Sequence, residues 1–235
     1  MKGVLIATTV IVAWATHLLA ILIYVPVNFT SPLTWFHILF QAYLFTGLFI
    51  TAHDAMHATV SRNRTVNRVI GTLACFLFAG LSYKRLIKNH VDHHRFPGSE
   101  ADPDYSVKSQ NFFVWLFLFM VRYTTILQLI IMAITFNVLI LAFPEKSVIT
   151  FWVVPSLLGT IQLFYFGTYL PHRKPHTEEM KPHNSRSMKM NHLLAMVSCY
   201  FFGYHTEHHE SPGTPWWQLY RIKEQKNQTE GKATL

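Results

Sequence analysis

Four apolar runs, approximately Gly3–Val25, Leu33–Ala52, Tyr123–Phe143 and Val148–Leu170, set the terms on which this chain can fold. Each is close to the ~20 residues a helix needs to cross the hydrocarbon of a bilayer. In lipid a lone segment satisfies its backbone only as a helix. Short turns at Pro26–Pro32 and Pro144–Ser147 join the runs pairwise into two hairpins. A composition of 51% hydrophobic and 14% charged residues fits that class better than a soluble domain of the same length. The first run contains Ala13-Trp14-Ala15, which resembles a signal-peptidase site. Its apolar stretch continues well beyond that point and only Lys2 precedes it, so an uncleaved anchor is expected.

Charge orients the hairpins. The first turn carries none and the second only Glu145 and Lys146, so 19 of the 20 Lys and Arg fall on the opposite side. The positive-inside rule makes that side cytoplasmic, with both termini there and a cytoplasmic tail from residue 171. Cations placed beside apolar spans are a topology signal, so membrane lipid and no nucleic acid is expected as a partner. Val66–Tyr83, Phe112–Val121 and Leu193–Gly203 are too short to span or lie between motifs that share one side. They are expected as interfacial helices on the cytoplasmic leaflet. Trp216-Trp217 is expected at headgroup depth, and the polar stretch from Lys223 to Leu235 is expected to fray. Cys75 and Cys199 lack CxxC spacing and sit among apolar residues, as buried free thiols do. The expected fold is an all-α integral membrane protein of one domain, residues 1–235: four transmembrane helices in two hairpins plus cytoplasmic-side interfacial helices.

Three histidine clusters share the cytoplasmic side: His53-Asp54-Ala55-Met56-His57, His90-Val91-Asp92-His93-His94 and His205-Thr206-Glu207-His208-His209. Separations of three and four residues put the imidazoles of a cluster on one helical face. With 14 His in 235 residues, chance supplies an HxxxH pair about once but an HxxHH box only about 0.05 times, so the two HxxHH boxes carry the inference. Eight imidazoles exceed what one ion holds, which argues for two metals. Imidazole suits iron, zinc, copper or nickel, so ligand type leaves the metal open. A zinc protease would read HExxH and use three protein ligands, whereas two ions roughly 3.5–4 Å apart use the full set. Asp54, Asp92, Asp102 and Asp104 are placed to receive the second ring N–H of such histidines. For Asp102 and Asp104 the alternative is capping a helix start or a turn. A transporter would set its site near the bilayer midplane, where these boxes do not lie.

HDAMH, NHVDHHRFPG followed by DPDY, FYFGTYLPHR and FGYHTEHHESPGTPWWQL resemble the bacterial membrane β-carotene ketolases (4-oxygenases), within the membrane fatty-acid desaturase and hydroxylase superfamily. The likeness runs from the second span to Arg221. The HxxHH boxes specify only the superfamily, while LPHR and the FGYH-to-PWWQL tail point to the ketolases. One departure is Tyr200-Phe201 before Phe202-Gly203, where that pattern has a Cys-aromatic-His-Phe-Gly run. The resemblance implies two Fe ions held by His53, His57, His90, His93, His94, His205, His208 and His209. It adds His172, at the end of the fourth span, as a ninth ligand. It also implies O2 as co-substrate and a small redox protein, a ferredoxin, as external electron donor.

The implied reaction is oxidation of C4 of a β-ionone ring to a ketone by two hydroxylations and loss of water. β-Carotene would become echinenone and then canthaxanthin, and zeaxanthin would become astaxanthin. C4 is allylic to the polyene, which weakens its C–H bonds. The carotenoid would come from the bilayer through a tunnel of Phe, Leu and Ile with no charged handle. The alternative is a fatty-acyl desaturase or hydroxylase with the same metal pair, whose headgroup would need a basic pocket from Arg62, Arg64, Lys84 and Arg85. His17 and His37, in or near spans and without a partner box, read as hydrogen-bonded side chains. His176, His183 and His192 read as loop-surface residues within reach of an electron donor.

Overall fold

A computed structural model describes residues 1–233, which form helices and connecting loops with no strand among them. The first hairpin is α1 (Lys2–Tyr24) and α2 (Pro32–Met56). α2 starts where Ser31 accepts the Leu33 amide and Pro32 occupies the first turn, in which a missing N–H costs nothing. It runs past the expected end at Ala52, because nothing in His53-Asp54-Ala55-Met56 breaks a helix. The first histidine cluster is therefore the last turn of a span-length helix, with His57 as its C-cap. α2 is the centre of the molecule: Phe45, Leu48, Ile50 and Ala52 are wholly enclosed by α1 and two later helices. Near the interhelical turn, His17 Nδ1–H donates to Gln41 Oε1 (2.5 Å) and His37 Nδ1–H donates to His17 Nε2 (3.1 Å). As expected, both are hydrogen-bonded; they tie α1 to α2.

α3 (Arg64–Ala79) and α4 (Tyr83–Arg95) meet at 100°. Gly80 stops α3 in the left-handed region (φ +64°), and the Ser82 side chain accepts the Arg85 amide to start α4. Val66–Tyr83 is thus not one helix. α5 (Phe112–Tyr123) and α6 (Ile126–Ala142) meet at 89°. Thr125 and Gln128 bond each other's backbone in a capping box, which starts a new helix inside a continuous apolar run. The third run accordingly begins at Ile126, and Tyr123 belongs to the helix before it. No residue of α6 is buried against the protein.

α7 (Glu145–His172) contains two π turns, Ile149–Val153 and Tyr165–Tyr169, each shortly before a proline, Pro155 and Pro171. A proline ring crowds the carbonyl four residues back, and a wider turn relieves the clash. The extra residue rotates all that follows by roughly 100°, which re-aims His172. α1, α2 and α7 are each long and apolar enough to cross a membrane, and five spans result if each bent pair counts as one. The protein is a multi-pass membrane protein.

α8 (His192–Cys199), α9 (His205–Glu210) and α10 (Leu219–Ala233) complete the fold. Two expectations change here. Trp216 is a core residue, 8% exposed and edge-on to Tyr200 at 5.0 Å, and not a headgroup anchor. The tail is helical through Ala233, held by ion pairs to α9 (Lys223–Glu207, 3.0 Å; Lys226–Glu210, 2.7 Å) that a linear pattern cannot show. Thr234 and Leu235 lie outside the described residues. Cys75 and Cys199 are buried and free.

Candidate metal centre

The end of α2, the last turns of α4, the end of α7 and the whole of α9 converge on one point. There His53, His57, His90, His94 and His208 bring ring nitrogens within 4.8 Å of one another, and His93, His172, His205 and His209 form a second such group. The box on α4 is shared: His90 and His94 face one group and His93 the other. Within the first, Nε2 atoms approach at 2.6 Å (His57–His90), 2.9 Å (His94–His208) and 3.1 Å (His53–His208). Within the second, His209 Nε2 lies 3.1 Å from both His93 and His205 Nε2. The His94 ring, 4.3 Å from that of His209, forms the seam between them. All nine histidines named from the sequence are brought together.

These residues fit a pair of metal ions. A neutral imidazole has one N–H, so Nε2 atoms facing one another cannot all be hydrogen-bonded. The tautomers are set from behind. His172 Nδ1–H donates to the Asn184 carbonyl (3.0 Å), which leaves its Nε2 as a buried lone pair with no partner. Burial and neighbouring imidazoles push His205, His208 and His209 well below their ordinary pKa, so these rings stay neutral. Inward-facing lone pairs are what cations satisfy.

Asp102, 1% exposed, accepts from His93 Nδ1 (3.0 Å) and from the amides of Gly98 and Asp104 (2.8 Å each). Turn cap and imidazole orienter, the two alternatives, are one role. Burial pushes the His93 pKa down, but the bond to Asp102 and its charge outweigh that and raise it. α5 holds this loop: Trp115 Nε1 donates to the Asp104 carbonyl (2.8 Å), Arg122 to the Pro103 carbonyl (2.5 Å) and the Tyr123 hydroxyl to the Asp104 carboxylate. Asp92 is half-buried and makes no side-chain hydrogen bond among the described residues.

Asp54, 3% exposed, accepts the Trp216 amide (3.2 Å) and lies 3.9 Å from His53 Nδ1. Its partner is neither solvent nor Arg62. Asp54→Asn keeps an acceptor for Trp216 but replaces the carboxyl group beside His53 with an amide. Metal affinity and turnover should fall together by about 10–100-fold. Wild-type values of both would make Asp54 a pin for Trp216 alone.

One residue escaped the sequence reading. Glu207, fully buried within the third box, accepts from Lys223 Nζ (3.0 Å) and the Ser187 hydroxyl, and so fastens α9 to α10 and to the preceding loop. Its signal was a carboxylate inside a histidine box, as at Asp54 and Asp92.

A cavity of about 250 Å³ leads from His53, His90, His93 and His205 to a mouth between α6 and α7, where Leu129 and Leu157 are exposed. Phe202 forms part of its wall, 4.9 Å from the His53 ring and 5.5 Å from that of His205. Tyr200 and Phe201, the departure from the family pattern, turn away through left-handed conformations (φ 49° and 60°). Tyr200 stacks on Tyr43 at 4.2 Å, behind the cavity. Gly167 allows Phe202 its place, since a Cβ there would stand 2.2 Å from the Phe202 ring. Gly167→Ala should drive Phe202 into the cavity and lower turnover by about 10-fold or more with metal content intact. Unchanged kinetics would show that the ring has room to yield.

The fatty acid desaturase family profile matches residues 30–143 and 121–232. The chain belongs to the fatty acid desaturase family. It is 38% identical over 236 residues to a zeaxanthin 4-ketolase of Chlamydomonas reinhardtii (94% of this chain, 53% of that protein). It is 36% identical to a β-carotene 4-ketolase of Protosiphon botryoides (92% and 62%). With a β-carotene ketolase of Paracoccus sp. (strain PC1) the identity is 43% over 199 residues (82% and 77%). The chain thus spans between about half and three fifths of the two algal proteins and about three quarters of the bacterial one. More distant family relatives include a sphingolipid delta(4)-desaturase/C4-monooxygenase of Rattus norvegicus, 28% identical over 217 residues.

Proposed function

We propose that this chain is a carotenoid 4-ketolase, a single catalytic domain over residues 1–235 that oxidises C4 of a β-ionone ring with O2. The observation that carries the proposal is the cavity, which runs from the lipid-facing surface to the doubled histidine cluster and has no charged group at its mouth among the described residues. The ketolase relatives support it. His53, His57, His90, His94 and His208 hold one iron, and His93, His172, His205 and His209 the other. When bound, the two irons supply the activation of O2 and the removal of hydrogen from C4.

The chain's own residues do the rest. Asp102 and the Asn184 carbonyl fix the tautomers of His93 and His172, Asp54 stands beside His53, and Phe202 shapes the wall against which a ring rests. At about 250 Å³ the cavity lies below the usual ~300–1,000 Å³ of drug-sized ligands, so it takes one ring while the polyene stays in the bilayer along α6. A ferredoxin-like protein supplies electrons. α1, α2, α6 and α7 cross the membrane as two hairpins, and both termini and the metal centre face the cytoplasm. A reporter in the 28–31 turn should then report the opposite side from one at the C-terminus.

A fatty-acyl substrate is the second reading, because Lys84 and Arg85 line a groove of about 290 Å³ that shares Leu86 and Tyr123 with the cavity. Expression in cells that make β-carotene, with chromatography of pigments and of fatty acids, separates the two. Ketocarotenoids establish the first, and an altered acyl profile with unchanged pigment replaces it with the second.

A further inference from the structure

Three histidines outside the two groups lie among the loops on the metal-centre side, and their surroundings differ. His176 Nε2–H donates to the His172 carbonyl (2.8 Å), and His192 is held by the Tyr204 hydroxyl (2.9 Å) and Glu224 (3.3 Å). Of these three, His183 is the one that lays its ring on a ring of the cluster: the centroids of His183 and His209 are 5.4 Å apart at 31°. His209 is buried, whereas His183 is half-buried on the loop between α7 and α8. Conjugated rings thus connect the protein surface to the second histidine group.

The loop around His183 is fixed in place. Asn184 Nδ2 donates to the Pro97 carbonyl (3.0 Å), and Arg186 donates to the carbonyls of Arg173 and Pro175 (2.7 Å each). Three segments therefore converge on the His183 loop, and they carry the exposed cations Arg95, Arg173, Lys174 and Lys181 against exposed Glu178 and Glu179, of which Glu178 pairs with Lys181 (2.8 Å); the Lys226–Glu210 pair (2.7 Å) lies beside them. Glu145 and Lys146 cancel in the far turn, so the whole formal charge of +8 belongs to the remainder of the chain. Such a surface attracts an acidic protein and raises its association rate.

We infer that His183 is the contact through which a small acidic one-electron carrier protein, docked on this basic surface, reduces the metal pair. The inference rests on the proposed function only for the presence of a redox-active metal pair. Each passage oxidises the carrier by one electron and reduces the pair by one. Two passages and two protons from water accompany each O2, one oxygen of which leaves as water. His183 is a positioning and relay residue and touches no substrate.

The test uses the iron-loaded full chain in lipid nanodiscs, with a reduced [2Fe–2S] ferredoxin and, separately, dithionite as reductants. His183→Ala should slow reduction by the ferredoxin about tenfold or more, and Lys174→Glu with Lys181→Glu should weaken its binding by a similar factor, while dithionite reduction and iron content stay as in the parent. Oxidised ferredoxin should also protect His183 from carbethoxylation, read by mass spectrometry. Equal ferredoxin rates in His183→Ala would overturn the inference. So would a parallel loss with dithionite or a loss of iron, either of which makes His183 a support for His209. Protection by anionic vesicles but not by ferredoxin would make the surface a lipid contact and overturn it as well. None of these readouts uses pigment, so a different substrate would leave the outcome unaffected.

Discussion

His209→Ala protein is expected to insert in the membrane, to carry about one iron per chain in place of about two, and to form no ketone. His209 stands 3.1 Å from both His93 and His205, and its ring also meets that of His94 across the seam. Without it the second group keeps only His93, His172 and His205, while the five-histidine group is intact. α9 should survive the change, because Glu207 remains bonded to Lys223 and Ser187. Metal analysis of the purified protein together with pigment chromatography checks both halves. Two irons and parental ketone formation in this variant would remove His209 from the centre, and stoichiometric zinc in active protein would sink the di-iron assignment altogether.

Asp102→Asn should cost about 10–100-fold in metal affinity and turnover, the range found when the partner of a metal-bound histidine is lost. Asparagine keeps one oxygen for the Gly98 and Asp104 amides that the carboxylate now serves with two. Its NH2 group cannot accept the His93 Nδ1–H, and the charge that favours that bond is gone. Tyr123→Phe is the matched control. It removes the hydrogen bond to Asp104 but leaves Asp102 on His93, so its effect should be the smaller of the two. Equal iron affinity in Asp102→Asn and parent protein would show that His93 keeps its orientation without a carboxylate.

The long helices were legible because a lipid-embedded span must be continuously apolar, and α1, α2 and α7 are. The breaks at Gly80–Ser82 and Thr124–Thr125 were not, since a glycine in a left-handed turn or a capping box redirects the chain without changing its hydropathy. Convergence of the nine histidines followed from spacing and family likeness. Their partition did not: the box on α4 splits between two groups because its residues point to both sides of a seam that only the packed helices define. Asp92 was a natural partner by sequence, being adjacent to His93, yet Asp102 takes the bond because the loop returns beneath α4. Trp216 read as an amphipathic anchor, whereas the Asp54 carboxylate and the Tyr200 ring draw it into the core. The breaks are local, whereas the partition of the histidines and the place of Trp216 depend on contacts between segments far apart in the chain.

The size of the cavity also governs how a symmetrical substrate is consumed. A carotenoid with two equivalent rings cannot place both at one histidine cluster in a cavity of about 250 Å³. After its first ring is finished, the molecule must withdraw into the lipid, reverse and return, to this copy or to another. Under the proposed function, oxidation of such a substrate should therefore be distributive. The one-ended ketone should build up ahead of the two-ended one, and their ratio should follow how often molecules meet the protein in the plane of the membrane. Diluting the protein in lipid would lengthen the life of the half-finished pigment without any change at the metal centre.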